Sequence, residues 1–134
     1  MRYLLDTDIC VYISRQRPRE VLERLQTLSF GEVNVSAITE SELIYGALKS
    51  ANPAKKLEQM AAVTSFAPPL PLDSAVANTA AEIRLDLERR GLKIGPYNTL
   101  IAAHALSLGL TLVTNNVREF SRISGLQVEN WLEP

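Results

Sequence analysis

Scarcities narrow the possibilities for this chain before any motif does. It has one cysteine, Cys10, which excludes an internal disulfide and points to a reducing compartment. Cys10 stands among Ile9, Val11 and Tyr12, the surroundings of a buried core thiol rather than a reactive one. A lone histidine, His104, has no ligand set to join, so a zinc site is not expected and a structural role is. The single tryptophan, Trp131, is expected to pack the C-terminal tail down. Neither sign of charge dominates: the net charge is −1, which counts against a simple duplex binder but less against an enzyme that meets phosphates through a metal ion. Long hydrophobic runs are missing as well. The longest, TLIAAHALSLGLTLV, is interrupted by His104, Ser107 and Gly109, and reads as a helix followed by a strand rather than a membrane span. The opening MRYLLDTDIC has too short an apolar stretch for a secretory leader, so a cytoplasmic protein is expected.

What remains is an ordinary globular composition, 46% hydrophobic and 22% charged over 134 residues. That length suits one domain covering 1–134, which buries about two-thirds of its unfolded surface. Strand and helix signals alternate throughout. RYLLD and VNVS are short buried-strand runs, and LTLVT and LQVEN supply two more. Helical patterns follow each, from Thr7, in PREVLERLQTL with Pro18 in its first turn, in ITESELIYGALKSA, and in PAKKLEQMAAVTSF. A long helix in DSAVANTAAEIRLDLERRG ends at Gly91, another starts at Asn98, and a short one lies around VREFSRI. APPLPL reads as an extended edge segment, where proline is tolerated. Alternating strands and helices predict an α/β fold with a central, mostly parallel sheet covered on both faces. In such sheets ligands bind beyond the carboxyl ends of the strands, which makes the residues there the candidates for chemistry.

Asp6 and Asp8 follow the first strand. Packing explains poorly an aspartate at the end of a buried strand, because an unpaired buried charge costs several kcal/mol. Asp6 is therefore the functional candidate, and Asp8, nearer the helix, the expected cap. DTDIC resembles the opening motif of haloacid-dehalogenase-type phosphatases, but that chemistry needs a later acidic pair, and no aspartate follows Asp86. Glu40 and Glu42 stand about 200° apart on a helix, so only one can face a given cleft. Glu42 has Gly46 one turn later, leaving room beside it, while Thr39 and Glu42 also match a capping box. Asn98 follows Gly95-Pro96 and is a good N-cap by residue type. Asn116 and Glu119, after the late strand, fit the same cap-and-acid spacing; Arg118 beside them suits either a phosphate contact or open solvent. Two basic clusters, Arg15, Arg17 and Arg19, and Arg84, Arg89, Arg90 and Lys93, are further candidate phosphate contacts, although charge runs are most often solvated faces.

Taken together, LLDTDIC, VSAITESELIYGA, IGPYNTLIAAHAL and LVTNNVREFSRISGL resemble, in order and spacing, the four signature blocks of the PIN-domain ribonucleases. Within them the resemblance is to the VapC-type toxins of VapBC toxin–antitoxin systems, from about Tyr3 to Trp131. It implies an α/β/α sandwich whose acidic pocket binds Mg²⁺ or Mn²⁺ and hydrolyses RNA, leaving a 3′-hydroxyl and a 5′-phosphate. It implies tRNA as substrate, with the initiator anticodon stem-loop the target in enteric-type members. A VapB antitoxin that blocks the pocket and a toxin homodimer inside the larger complex are implied too. Carried onto this chain, the catalytic set is Asp6, Glu42, position 98 and Glu119, with Asp6, Glu42 and position 98 as metal ligands and Thr7 and Asn116 in support. The chain departs from the pattern at Asn98, where the family has aspartate. An amide there keeps the shape and the expected cap but loses the charge, which predicts weak metal binding and reduced cleavage. A non-catalytic protein of this fold that binds RNA or an antitoxin is the rival expectation.

Overall fold

A computed structural model describes residues 1–132. β1 (Tyr3–Leu5) leads into α1 (Thr7–Ser14) and α2 (Arg19–Gln26); β2 (Val33–Ser36) leads into α3 (Ala37–Leu48) and α4 (Pro53–Phe66). β3 (Pro69–Leu70) precedes α5 (Ser74–Arg89) and α6 (Pro96–Leu108), and β4 (Thr111–Val113), α7 (Val117–Phe120) and β5 (Val128–Glu129) follow. The strands form one sheet in the order β3-β2-β1-β4-β5, with every pairing parallel. The expected α/β architecture is present, and the proline-bearing β3 lies at an edge.

Alternation along the strands splits the core in two. Tyr3, Leu5, Val33, Val35 and Val113 point to a layer made by α1 to α4, where Ile9, Val21, Leu43 and Val63 meet them. Leu4 and Leu112 point the other way, toward Val76, Ile83 and Leu87 of α5, Ile101 of α6 and Phe120 of α7. Cys10 is fully buried, and burial pushes its thiol far above the ordinary value, so it is the inert core residue expected. Trp131 sets its ring edge-on to Tyr3 at 5.4 Å between centroids, holding the tail against β1. Gly91 takes φ +69° just past α5, a left-handed turn that glycine enters without strain.

Four helix starts differ from the sequence expectation. Asp6, not Asp8, caps α1, its Oδ1 accepting from the Thr7 N–H at 2.8 Å. Ser36, not Thr39, caps α3, its Oγ accepting from the Ile38 N–H at 3.1 Å; Thr39 is buried one turn in. Pro18 stands just ahead of α2 as its cap residue rather than inside the first turn. Asn98 does not cap α6: the helix opens at Gly95 with Pro96 at its first position, so Asn98 sits inside the first turn. Proline's fixed φ is already helical and it has no N–H to leave unbonded, so the helix starts as soon as the proline allows.

Candidate active site

From β1 the chain steps outward to β2 and β3, then returns to the other side of β1 for β4 and β5. The carboxyl ends of β1 and β4 therefore flank the topological switch point, where a parallel sheet opens a crevice. Asp6 ends β1 there, and Thr114 ends β4. Asp6 is 6% exposed, and each of its oxygens is held: Oδ1 by the Thr7 N–H, Oδ2 by the Thr114 hydroxyl at 2.7 Å.

Hydrogen bonds spread from this pair in both directions. On one side the Thr7 hydroxyl donates to Glu42 Oε1 at 2.8 Å, bringing the start of α1 onto α3, and lies 3.3 Å from the Thr39 hydroxyl. Glu42, rather than Glu40, is thus the acid that faces Asp6. Gly46 is open beside it, with nothing within 4 Å of where a Cβ would stand. On the other side the Thr114 hydroxyl accepts from the Asn116 N–H at 3.0 Å, and Asn116 Nδ2 donates to Glu119 Oε2 at 2.8 Å. Glu119 Oε1 accepts from the Gly95 N–H at 3.2 Å and from Asn98 Nδ2 at 3.3 Å. Asn98, Glu119, Asn116, Thr114, Asp6, Thr7 and Glu42 form one connected hydrogen-bonded chain drawn from β1, β4, α1, α3, α6 and α7.

The two ends of that chain differ electrically. Burial, followed by the charge of Asp8, raises the Asp6 carboxyl to about 6; the bonds from Thr114 and Thr7 pull it down, and Glu42 pushes it up again. Burial also raises Asp8, against the bonds it accepts from the Asn115 and Ile9 N–H groups. Burial acts upward on Glu119 too, but the bonds from Asn116, Asn98 and Gly95 and the charge of Arg122 outweigh it, leaving Glu119 below its usual value. Among the described residues no cation lies within salt-bridge distance of Asp6, Asp8 or Glu42. A buried carboxylate crowded by two others and paired with no base is the donor set a hard divalent ion takes. The fit is incomplete: among the described residues no three Asp, Glu, His or Cys side chains gather as a ready ligand group, and Asn98 adds only a neutral oxygen.

Every site candidate named from the sequence is thus brought to the switch point. Two further contributors carry no such signal in the sequence. Thr114 bridges Asp6 to Asn116 across 108 residues of sequence, and a lone threonine after a strand gives no hint of that. Asp8, expected as a cap, ties α1 to the β4–α7 turn through the Asn115 N–H at 3.1 Å. His104 lies in the core, its Nδ1 hydrogen-bonded to the Ser36 hydroxyl at 2.9 Å, the structural role expected. The basic clusters separate: Arg15, Arg17 and Arg19 run from the end of α1 remote from Asp6 to the start of α2, whereas Lys93 lies two residues before Gly95, whose N–H holds Glu119.

A parallel sheet of this order, with an acidic crevice at its switch point, defines a class of fold that known proteins share. The family model described as "PIN domain" matches residues 3–126. The tRNA(fMet)-specific endonuclease VapC of Shigella flexneri is 41% identical over 131 residues, covering 98% of both chains. The structure of DNA-bound VapBC from Salmonella typhimurium superposes with a TM-score of 0.92 at 39% identity, over 98% of each chain. That of VapBC2 from Rickettsia felis bound to a promoter DNA fragment gives 0.91 at 36% identity, over 98% of this chain and 99% of that one. The chain belongs to the PIN-domain family, among its VapC-type ribonucleases.

Proposed function

We propose that this protein descends from, and keeps the pocket of, a divalent-metal-dependent endoribonuclease toxin that cuts tRNA, and that Asn98 leaves it strongly impaired. The observation that carries the reading is the buried Asp6 at the switch point, joined through hydrogen bonds to Glu42 on one side and to Glu119 and Asn98 on the other, with no cation in salt-bridge contact with it among the described residues. The relatives named for cleavage of tRNA(fMet) support initiator tRNA as the substrate and the cytoplasm as the place of action.

Asp6 and Glu42 would hold the metal, with the side-chain oxygen of Asn98 as a weak third ligand. Mg²⁺, or Mn²⁺ in its place, supplies when bound an acidified water and charge to offset the phosphate's developing negative charge. The protein's own part is orientation. Thr114 and the Thr7 N–H fix both Asp6 oxygens, and the Thr7 hydroxyl turns Glu42 toward Asp6. Asn116 and the Gly95 N–H hold Glu119 as a carboxylate on the opposite wall. Attack of water on phosphorus breaks the P–O3′ bond, leaving a 3′-hydroxyl and a 5′-phosphate. A VapB-type antitoxin is the proposed partner, supported by the VapBC complexes among the structural relatives. An apolar groove between α1, α2 and α4, lined by Ile13, Leu22, Leu25 and Phe66, is a suitable seat for it. A homodimer is part of the same reading, and α3 exposes Ile44, Tyr45 and Leu48 on one stretch.

One observation favours the rival, a PIN fold that binds without cutting: Glu119 is satisfied by three neutral donors, so that wall needs no metal. Cleavage of unfractionated tRNA with Mg²⁺ separates the two, comparing the chain with Asn98→Asp, each with and without EDTA. Cleavage by Asn98→Asp alone, stopped by EDTA, establishes the impaired nuclease. No cleavage by either, with tRNA still bound, establishes the binding protein, and full cleavage by the unaltered chain refutes the impairment.

A further inference from the structure

Five of the fourteen lysines and arginines are occupied by carboxylates among the described residues. Arg2, Arg19, Arg24, Arg84 and Arg90 each hold a carboxylate of the protein. Arg84 and Arg90 are thereby removed from the second basic cluster, committed to Glu88 and Asp86. Among the cations left over, three are set apart by position, beside the Glu119 wall of the acidic crevice. Lys93, Arg118 and Arg122 hold no carboxylate among the described residues, although Arg118 is adjacent to Glu119 in sequence and Arg122 acts on it through space. Glu119 takes its hydrogen bonds from three neutral donors and feels Arg122 only at a distance, so the donors of these cations are not spent on it.

The placement of Arg122 and of the Lys93 backbone is built rather than incidental, while Arg118 belongs to the strip by its position in α7. Arg122 Nη1 donates to the Lys93 carbonyl at 2.7 Å, fixing the α5–α6 loop to the end of α7. Arg90, anchored on Asp86, donates to the Arg122 carbonyl and holds that residue from behind. A guanidinium carries five N–H donors, so the bond to Lys93 leaves most of those on Arg122 free. A cavity lined by Glu88, Gly91, Leu92, Lys93 and Arg122 opens beside this brace, with Glu88 paired to Arg84. A short, braced, unneutralised basic strip adjoining a phosphodiester-cleaving crevice has one chemical partner of matching sign and extent, a nucleic-acid backbone.

We propose that Lys93, Arg118 and Arg122 form a phosphate-binding strip that seats the RNA backbone beside the Asp6–Glu119 crevice, and that the Arg15–Arg17 cluster takes no part. The inference rests on the nuclease reading for its substrate class, not for its geometry. Such cations position RNA without reading its sequence, and each releases counterions on binding, so affinity depends on salt.

The test is binding of unfractionated tRNA to the intact chain in EDTA, measured as affinity against salt concentration. The variants are Lys93→Ala, Arg118→Ala, their double, and Arg15→Ala/Arg17→Ala, each checked for an unchanged melting temperature. Arg122→Lys serves in place of an alanine, since it keeps a charge and a donor toward the loop. The strip predicts several-fold weaker binding for each single alanine variant and a salt slope lowered by about one for each cation removed, or about two in the double. The Arg15/Arg17 variant is expected to match the unaltered chain. Arg122→Lys, which keeps its charge, is expected to keep the slope; unchanged slopes in the Lys93 and Arg118 alanine variants, or a lowered slope in the Arg15/Arg17 variant, overturn the proposal. So does failure of the unaltered chain to bind tRNA, and in that case metal-dependent cleavage by Asn98→Asp still upholds the nuclease reading.

Discussion

Asp6 is the residue on which the chemistry and the stability of this fold pull in opposite directions. Its carboxyl is raised from an ordinary 3.8 to about 6, so the folded protein holds a proton there that the unfolded chain has released. Because the folded state binds more protons between those values, this residue's contribution to stability is present below pH 4 and is lost as pH rises through 6. The difference is worth about 3 kcal/mol. Asp8, raised in the same direction, adds to the trend, whereas Glu119, lowered, opposes it. The melting temperature of Asp6→Asn should therefore gain on that of the unaltered metal-free chain between pH 4 and pH 6.5. A constant difference across that range contradicts the assignment. A metal ligand must be ionised, so metal binding should weaken as pH falls below about 6, higher than an ordinary carboxylate would set. Thr114 has the complementary role. Thr114→Val leaves Asp6 Oδ2 and the Asn116 N–H without their common partner and should cost about 1–3 kcal/mol in urea unfolding, while Thr114→Ser should cost much less.

Helix starts show which parts of the structure are legible in the sequence and which are not. Apolar runs and their period place four of the strands and the helices, because burial on a sheet face or helix stripe imposes them directly, and the prolines of APPLPL place the fifth strand at an edge. Caps fall two or three residues from where residue type alone puts them at α1, α3 and α6, because several residues near each start have suitable side chains and only the local backbone decides among them. Asn98 is the instructive case. By type it is a good cap, but Pro96 starts the helix two residues earlier and frees the amide to reach Glu119. Thr114 and Asp8 are illegible for another reason: their partners lie 107 or 108 residues away, and only the parallel pairing of β1 with β4 unites them. At the same scale, Ser36 both caps α3, which carries Glu42, and bonds His104 of α6, which carries Asn98. Ser36→Ala should cost about 1–3 kcal/mol in urea unfolding and, on the proposed site, lower the cleavage rate of an Asn98→Asp background, because the helices carrying Glu42 and residue 98 lose their common anchor.

For the whole molecule, five parallel strands in the order 3-2-1-4-5 put one crevice at the β1–β4 switch, and all the site residues named from the sequence converge on it. The metal-free charges in that crevice are uncompensated at the Asp6–Glu42 wall and compensated at the Asn98–Glu119 wall. Residue 98 decides which state the second wall is in. An aspartate there would face Glu119 in place of an amide donor, restoring a repulsion that only a cation relieves. The most direct measurement is a Mn²⁺ titration at pH 7 of the chain, of Asn98→Asp, and of Asn98→Asp combined with Asp6→Asn, followed by calorimetry. One added charged ligand predicts binding to Asn98→Asp tighter than to the unaltered chain by on the order of 100-fold, abolished when Asp6 is also changed. Equal affinity of the chain and Asn98→Asp, or binding that survives loss of Asp6, would contradict the account.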